Sequence, residues 1–376
     1  MRLTPRSLNR ATLDRQMLLE RASLPVVEGV RRAVALQAQE PASPHVALWN
    51  RLASFDPDDL NSAFERGSVV KAPLMRITLH AVDADDYPSF HSAMTSTLRA
   101  ARLNDRRFKE ADLPVEEMDA LVAEVIEFAR VPRTSAEIET MITGHLESEP
   151  HQRVFWAMRT FAPLLRTPTG GPWSFTREIL YGTAPVTEAA SEVSTSVQHL
   201  LRRYLEGFGP ASAQDFAQFA LLRMSSIRPA LDAMSDELVE FEGPNGKTYY
   251  DLSAATVPDE GTIAPPRLLG MWDSILLGYA DRSRTIPEEY RSTVIRRNGD
   301  VLPTVLVDGL VAGVWRAAEV GIEVKAFDEL SKETWTGLEV EARSLHGMLA
   351  ERDPNAFGRH GHWWTDIPAS SSRVLV

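Results

Sequence analysis

VQHLLRRYLEGFG at 197–209, PASAQDFAQFALL at 210–222 and SIRPALDAM at 226–234, followed by LVEFEGPNGKTYYDL at 238–252, decide the fold. Apolar spacing predicts three helices. Asn245-Gly246 is a strong two-residue hairpin signal between two strand-like runs. Three helices closed by a hairpin make a winged helix. Upstream, the rhythm recurs. SAEIETMITGHL (135–146) and HQRVFWAMRTFAPLLRT (151–167) lead into the turn TPTGGPWSF (167–175). Earlier still, LDRQMLLERA (13–22), VVEGVRRAVAL (26–36) and PHVALWNRLASF (44–55) read as helices, the last with Ser43 as cap. DPDDLNSAFERG (56–67) adds another helix, with Asp56 as a cap, and SVVKAPLMRITLHAV (68–82) reads as strand. After Pro265-Pro266, the runs STVIRR, VLPTVLV and LVAGVW, separated by Asn298-Gly299 and Asp308-Gly309, predict a small barrel or sheet. A charged helix over 328–349 and a tail follow. The expected fold class is α+β: winged helices at 1–110, 111–190 and 191–262, then a β-barrel-like domain with a terminal helix at 263–376.

A chain of 376 residues with 44% hydrophobic and 24% charged residues can bury substantial cores. No apolar run approaches the ~20 residues that span a bilayer, and MRLTPRSLNR lacks a signal-peptide core, so no membrane association and a cytoplasmic location are expected. The absence of cysteine excludes disulfides, thiolate zinc sites and cysteine nucleophiles. Repeated winged helices suggest duplex DNA, although such modules also bind proteins. The net charge of -12 argues against a uniformly basic coat, yet 35 of the 40 basic residues are arginine, which matches phosphate and base edges well. Arg282, Arg284, Arg291, Arg296 and Arg297 outnumber the acids Glu288 and Glu289 over residues 282–297, a candidate phosphate-binding strip.

The sharpest local feature is LQAQEPASP at 36–44. Val27, Val30 and Val34 form a helical stripe that Gln37 continues, aiming it at a cleft or the interior. Pro41 biases the chain before it toward extended geometry, in which Gln37 and Gln39 share a face and small Ala38 leaves room for a ligand. Two glutamines that serve buried backbone groups or solvent are the alternative. Arg76, Thr78 and His80 alternate along a strand reading and could line the same cleft, Arg76 on a phosphate and His80 there or as a structural hydrogen-bonder. Arg282 and Arg284 offer DNA contacts or an internal ion-pair network with Asp281. The hairpin Arg296-Arg297-Asn298 has the charge of a groove probe or of a solvated turn. His360 and His362 without matched carboxylates or thiols make a poor metal site, so neither metal nor cofactor is expected. Trp156, Trp173 and Trp272 read as packing residues.

The runs LNRATLDRQMLLERA, ALQAQEPASPHVALWNRL, MRITLH, RRYLEGFGPASAQDFA, WDSILLGYADRSR and PTVLVDGLVAGVW fall in order over about residues 3 to 345. In this ordered set the chain resembles the AlkZ-type winged-helix DNA glycosylases, bacterial repair enzymes of which several protect antibiotic producers from their own alkylating products. The resemblance implies three winged helices and a C-terminal β-barrel cradling a duplex. It also implies that the family's catalytic glutamine-apolar-glutamine motif falls on Gln37, Ala38 and Gln39; a sister branch has aspartate where this chain has Gln39.

Neutral side chains suit that chemistry. Alkylation at guanine N7 or adenine N3 leaves a cationic base that departs neutral without strong acid. What remains is to place water beneath C1′ and to stabilise charge developing on the sugar, which a glutamine carbonyl and its dipole can do. The expected partner is therefore double-stranded DNA with alkylated purines, bound by a monomer. A non-enzymatic winged-helix regulator is the rival reading.

Overall fold

The computed structural model describes residues 2–109, 113–146, 152–184 and 192–376, apart from the side chains of Gln152, Asn245 and His360. The module boundaries expected after residues 110 and 190 fall outside these. The fold is mixed α+β, in helix clusters that each close on a small antiparallel sheet.

In the first cluster, Thr4 caps helix Pro5–Arg15 reciprocally with Ser7, and proline occupies the first turn. This helix stops short of the expected 22 because Met17 takes a positive φ. Helices Val26–Ala33, Ala42–Arg51 and Pro57–Glu65 follow; Asp56 caps the last of these as expected. Three strands complete the cluster: β1 (Leu36–Gln37), β2 (Val69–Pro73) and β3 (Leu79–Asp83), in the order β1-β3-β2. The single strand expected over 68–82 is thus a hairpin. Arg76 and Ile77, with φ of 55° and 61°, turn the chain between β2 and β3. Alternation could not show this, because the turn carries neither Gly nor Asn.

Helices Ser135–His145 and Gln152–Phe161 lead into strands Leu164–Thr167 and Leu180–Thr183, joined by the short strand Arg133–Thr134. The stretch read first matches closely: helices Val193–Phe208, Ala213–Ala220 and Met224–Ala233, then strands Leu238–Glu242 and Thr248–Leu252. Its loop, however, spans residues 243–247 rather than two residues, with Gly243 N–H donating to Lys247 O at 2.7 Å. The aromatic side chains of Tyr204, Phe208, Phe216 and Phe219 interlock at its centre.

The C-terminal part is an open sheet, not a closed barrel. Its strands run Ser371–Leu375, Gly321–Ala326, Leu310–Ala318, Thr304–Val307, Arg267–Leu269, all antiparallel; among the described residues no ladder joins the first to the last. Helix Lys332–Arg352 covers it, burying Trp335, Leu338, Leu345 and Leu349 in the core that also holds Trp315 and Val324. Two expectations fail here. The supposed tail supplies an edge strand, and STVIRR begins inside helix Glu288–Val294, which Pro287 and two first-turn acids initiate.

The N-terminal helix ties these parts together. Arg15 pairs bidentately with Asp251 at 2.7 and 2.6 Å, and Asn9 donates to Arg284 O and Gly309 O at 2.6 and 2.9 Å.

Candidate active site

The glutamine pair begins where a helix is made to stop. Val34 holds φ 69°, unusual for a β-branched residue, while sealed in the core. The chain leaves it extended, so Gln37 stands on a strand and not, as the stripe suggested, on the helix. In register, Leu36 lies opposite Ala81 and Gln37 opposite His80, and Ala38 N–H donates to Leu79 O at 2.8 Å. Period-two alternation explains the motif. Leu36 and Ala38 enter one apolar cluster, leaving the glutamines to the other face.

The two amides have unequal access. Gln37 is 5% exposed, and its Oε1 accepts from Arg76 Nη2 at 3.3 Å. The same Nη2 donates to His80 Nε2 at 3.2 Å. His80 Nδ1 lies 3.0 Å from Thr78 O, which can only accept, so the proton sits on Nδ1 and Nε2 offers its lone pair to Arg76. Burial above all, then the Arg76 charge, holds His80 down to about 3. Burial, reinforced by nearby Arg282, lowers Arg76 to about 10. The β2–β3 turn therefore folds back, and Gln37, Arg76 and His80 form one cluster. Thr78 serves the turn through Oγ1, which donates to Met75 O at 3.1 Å.

Gln39 is exposed on the bend before helix Ala42–Arg51. It lines a cleft of about 740 Å³ together with Glu40, Lys71, Arg166, Phe175 and Arg359; Gln37 does not line it. The cleft lies between the first sheet, the hairpin of the second cluster and the chain beyond the long C-terminal helix. Glu40 and Arg359 form an ion pair at its edge. Sequence spacing missed Lys71, Arg166 and Phe175, since they converge only through packing of β2 on the Leu164–Thr167 hairpin. The scarcity of lysine was the one available signal.

The remaining arginines divide. Arg284, expected at DNA, is buried: its guanidinium stacks on Tyr279 at 3.7 Å and donates to Thr12 Oγ1 and Pro210 O. It is the internal strut of the two readings. Among the described residues, the sealed Nε of half-buried Arg282 has no hydrogen-bond partner, and Arg76 Nη1 and Arg166 Nη1 are likewise buried without one. Arg297 and Asn298 sit exposed on the hairpin tip, while Arg296 folds over Trp363 at 4.3 Å. Trp272 Nε1 holds that tip through Gly299 O at 2.9 Å. Among the described residues, no cluster of three or more His, Asp or Glu is placed to hold a metal; the His360 side chain is not among them.

His45, beneath the cleft, is sealed against Trp173 and lowered to about 4, chiefly by burial. For His45 and His80 the folded chain resists the proton that the unfolded chain accepts below about pH 6.5. Stability should hold above that pH and fall below it, by about 2 kcal/mol per histidine at pH 5. Urea melts at pH 7 and pH 5 measure this. A His80→Gln variant should lose about half of the pH-dependent drop; an identical pH response in wild type and variant would exclude the buried neutral histidine.

The family model described as DNA glycosylase AlkZ-like matches residues 30–348. An interstrand DNA cross-link repair glycosylase of Streptomyces sahachiroi is 26% identical over 354 residues, spanning 88% of this chain and 92% of its own. The solved Streptomyces sahachiroi DNA glycosylase AlkZ has a similar fold, with a TM-score of 0.79 at 23% identity, covering 92% of this chain and 96% of that one. A mixed α+β enzyme of the DNA N-glycosylase class is thereby defined. The chain belongs to the AlkZ-like DNA glycosylase family. No described helix is long and apolar enough to cross a membrane.

Proposed function

We propose that this enzyme hydrolyses the N-glycosidic bond of N7-alkylguanine and N3-alkyladenine in duplex DNA, interstrand cross-links included, in repair or self-resistance. The observation that carries the reading is that Gln39, exposed two residues beyond β1, lines the cleft that also holds Lys71, Arg166, Arg177 and Arg359. Gln39 accepts a hydrogen bond from the attacking water; Gln37, buried and braced by Arg76, fixes the strand end that positions Gln39. As water oxygen bonds to C1′, the C1′–N electrons return to the cationic base and the water proton passes to solvent. An amide is a poor proton acceptor, so selectivity comes from the leaving group. The name of the Streptomyces relative supports cross-links as substrates.

In this reading the clusters are three winged helices, at about 1–110, 111–190 and 191–262, with the C-terminal part beside them, acting as a cytoplasmic monomer. The partly exposed guanidinium groups of Arg76 and Arg282 offer donors to phosphate oxygens of the duplex. Arg297 and Asn298 enter a groove. Incubating a duplex containing N7-methylguanine with the enzyme in chelator, and measuring free base by mass spectrometry, tests the proposal. Released base is expected; sequence-specific binding without release would instead fit a regulator.

A further inference from the structure

Lys71 stands out in a chain that uses arginine for 35 of its 40 basic residues. It lies on β2, is 5% exposed, and lines the same cleft as Gln39, where the other cations are Arg166, Arg177 and Arg359. Its Nζ rests 4.0 Å from the centroid of the Phe175 ring. Among the described residues no carboxylate pairs with it. A buried ammonium without a counter-ion is costly, and an arginine would serve as well for a purely electrostatic role. What lysine alone can supply here is an amine nucleophile.

We propose that Lys71 captures the abasic sugar left after base release as an imine, giving the enzyme a lyase activity beside its glycosylase activity; this rests on the reading that the cleft at Gln39 receives the sugar. Hydrolysis leaves a C1′ hemiacetal in equilibrium with its open-chain aldehyde. The Lys71 lone pair bonds to C1′, and the carbinolamine loses water to form the iminium. Solvent then takes the C2′ proton, the C–H electrons form the C2′–C3′ double bond, and the C3′–O bond breaks with the 3′ phosphate as leaving group. Water hydrolyses the imine, returns the amine and leaves an unsaturated aldehyde on the 5′ fragment. No oxidant or reductant is consumed. Burial first, then the charge of Arg166, lowers Lys71 to about 7, so a substantial fraction is unprotonated near neutrality.

The test supplies the abasic site ready-made, by excising uracil from a duplex, and adds the full-length enzyme with sodium borohydride. Reduction of the imine should leave a covalent protein–DNA complex on a denaturing gel, with the adduct mapped by peptide mass spectrometry to Lys71. Its yield should fall by at least about 10-fold in both Lys71→Arg and Lys71→Met. No complex with the wild-type enzyme, or an adduct at Lys109, Lys247, Lys325, Lys332 or the terminal amine, overturns the assignment. Mapping on the wild-type protein stands even if a variant fails to fold. Because the abasic site is provided, absent trapping alongside intact N7-methylguanine release sinks the lyase alone. Trapping without base release would sink only the reading of the glycosylase site.

Discussion

Asp273→Ala should cost about 3–5 kcal/mol of stability, because it strands the Arg51 guanidinium as an uncompensated charge inside the protein. Arg51 and Asp273 are both wholly buried and meet through two parallel hydrogen bonds of 2.8 Å. Arg51 also donates to Ala47 O and to Gln16 Oε1, at 2.9 and 3.1 Å, and Asp273 Oδ1 accepts from Ile275 N–H at 3.2 Å. The pair joins the end of the helix after the glutamine motif to the segment whose Ser274 Oγ donates to Ala35 O at 2.6 Å, one residue before β1. It therefore supports both ends of the segment that carries Gln37 and Gln39. Urea unfolding measures the loss. Replacing both partners with apolar residues, as in Arg51→Met with Asp273→Leu, should recover most of it, since an apolar pair leaves no charge unsatisfied. A change under about 1 kcal/mol in Asp273→Ala would mean that water reaches the site.

Local chemistry was readable at several turns: the Asp56 cap, the Asp308-Gly309 hairpin and the three helices from 193 to 233 follow the sequence pattern, whereas Asn245-Gly246 sits in a longer loop and Ser43 lies inside its helix rather than capping it. Backbone reversals held by tertiary packing were not. Val34 and Arg76 take positive φ with side chains that give no sign of it, and these two turns convert a predicted helix end into β1 and a predicted strand into a hairpin. Non-local pairing was equally silent. The last strand finds its partner some fifty residues upstream, where nothing in SSRVL distinguishes a strand from a tail. Spacing alone left Gln37 and Gln39 open between a site and a structural role; it was the ordered resemblance along the chain that pointed to them. The cleft was not, since its walls come from four separated segments.

Loss of Gln39 should abolish catalysis without loss of DNA binding. Gln39 is exposed and lines the cleft, so truncation removes the group proposed to orient water and leaves the surface arginines untouched. Misplacing a nucleophile by about 1 Å costs about 100-fold in rate, and deletion should cost at least that. Gln37→Ala should act differently. It deprives Arg76 of an acceptor and loosens β1, so a comparable rate loss should come with reduced stability. The decisive measurement is the single-turnover rate of N7-methylguanine release by Gln39→Ala, with enzyme in excess and the duplex saturated. A fall of about 100-fold or more with unchanged affinity for the duplex is the predicted result; release at the wild-type rate would contradict a water held by that amide.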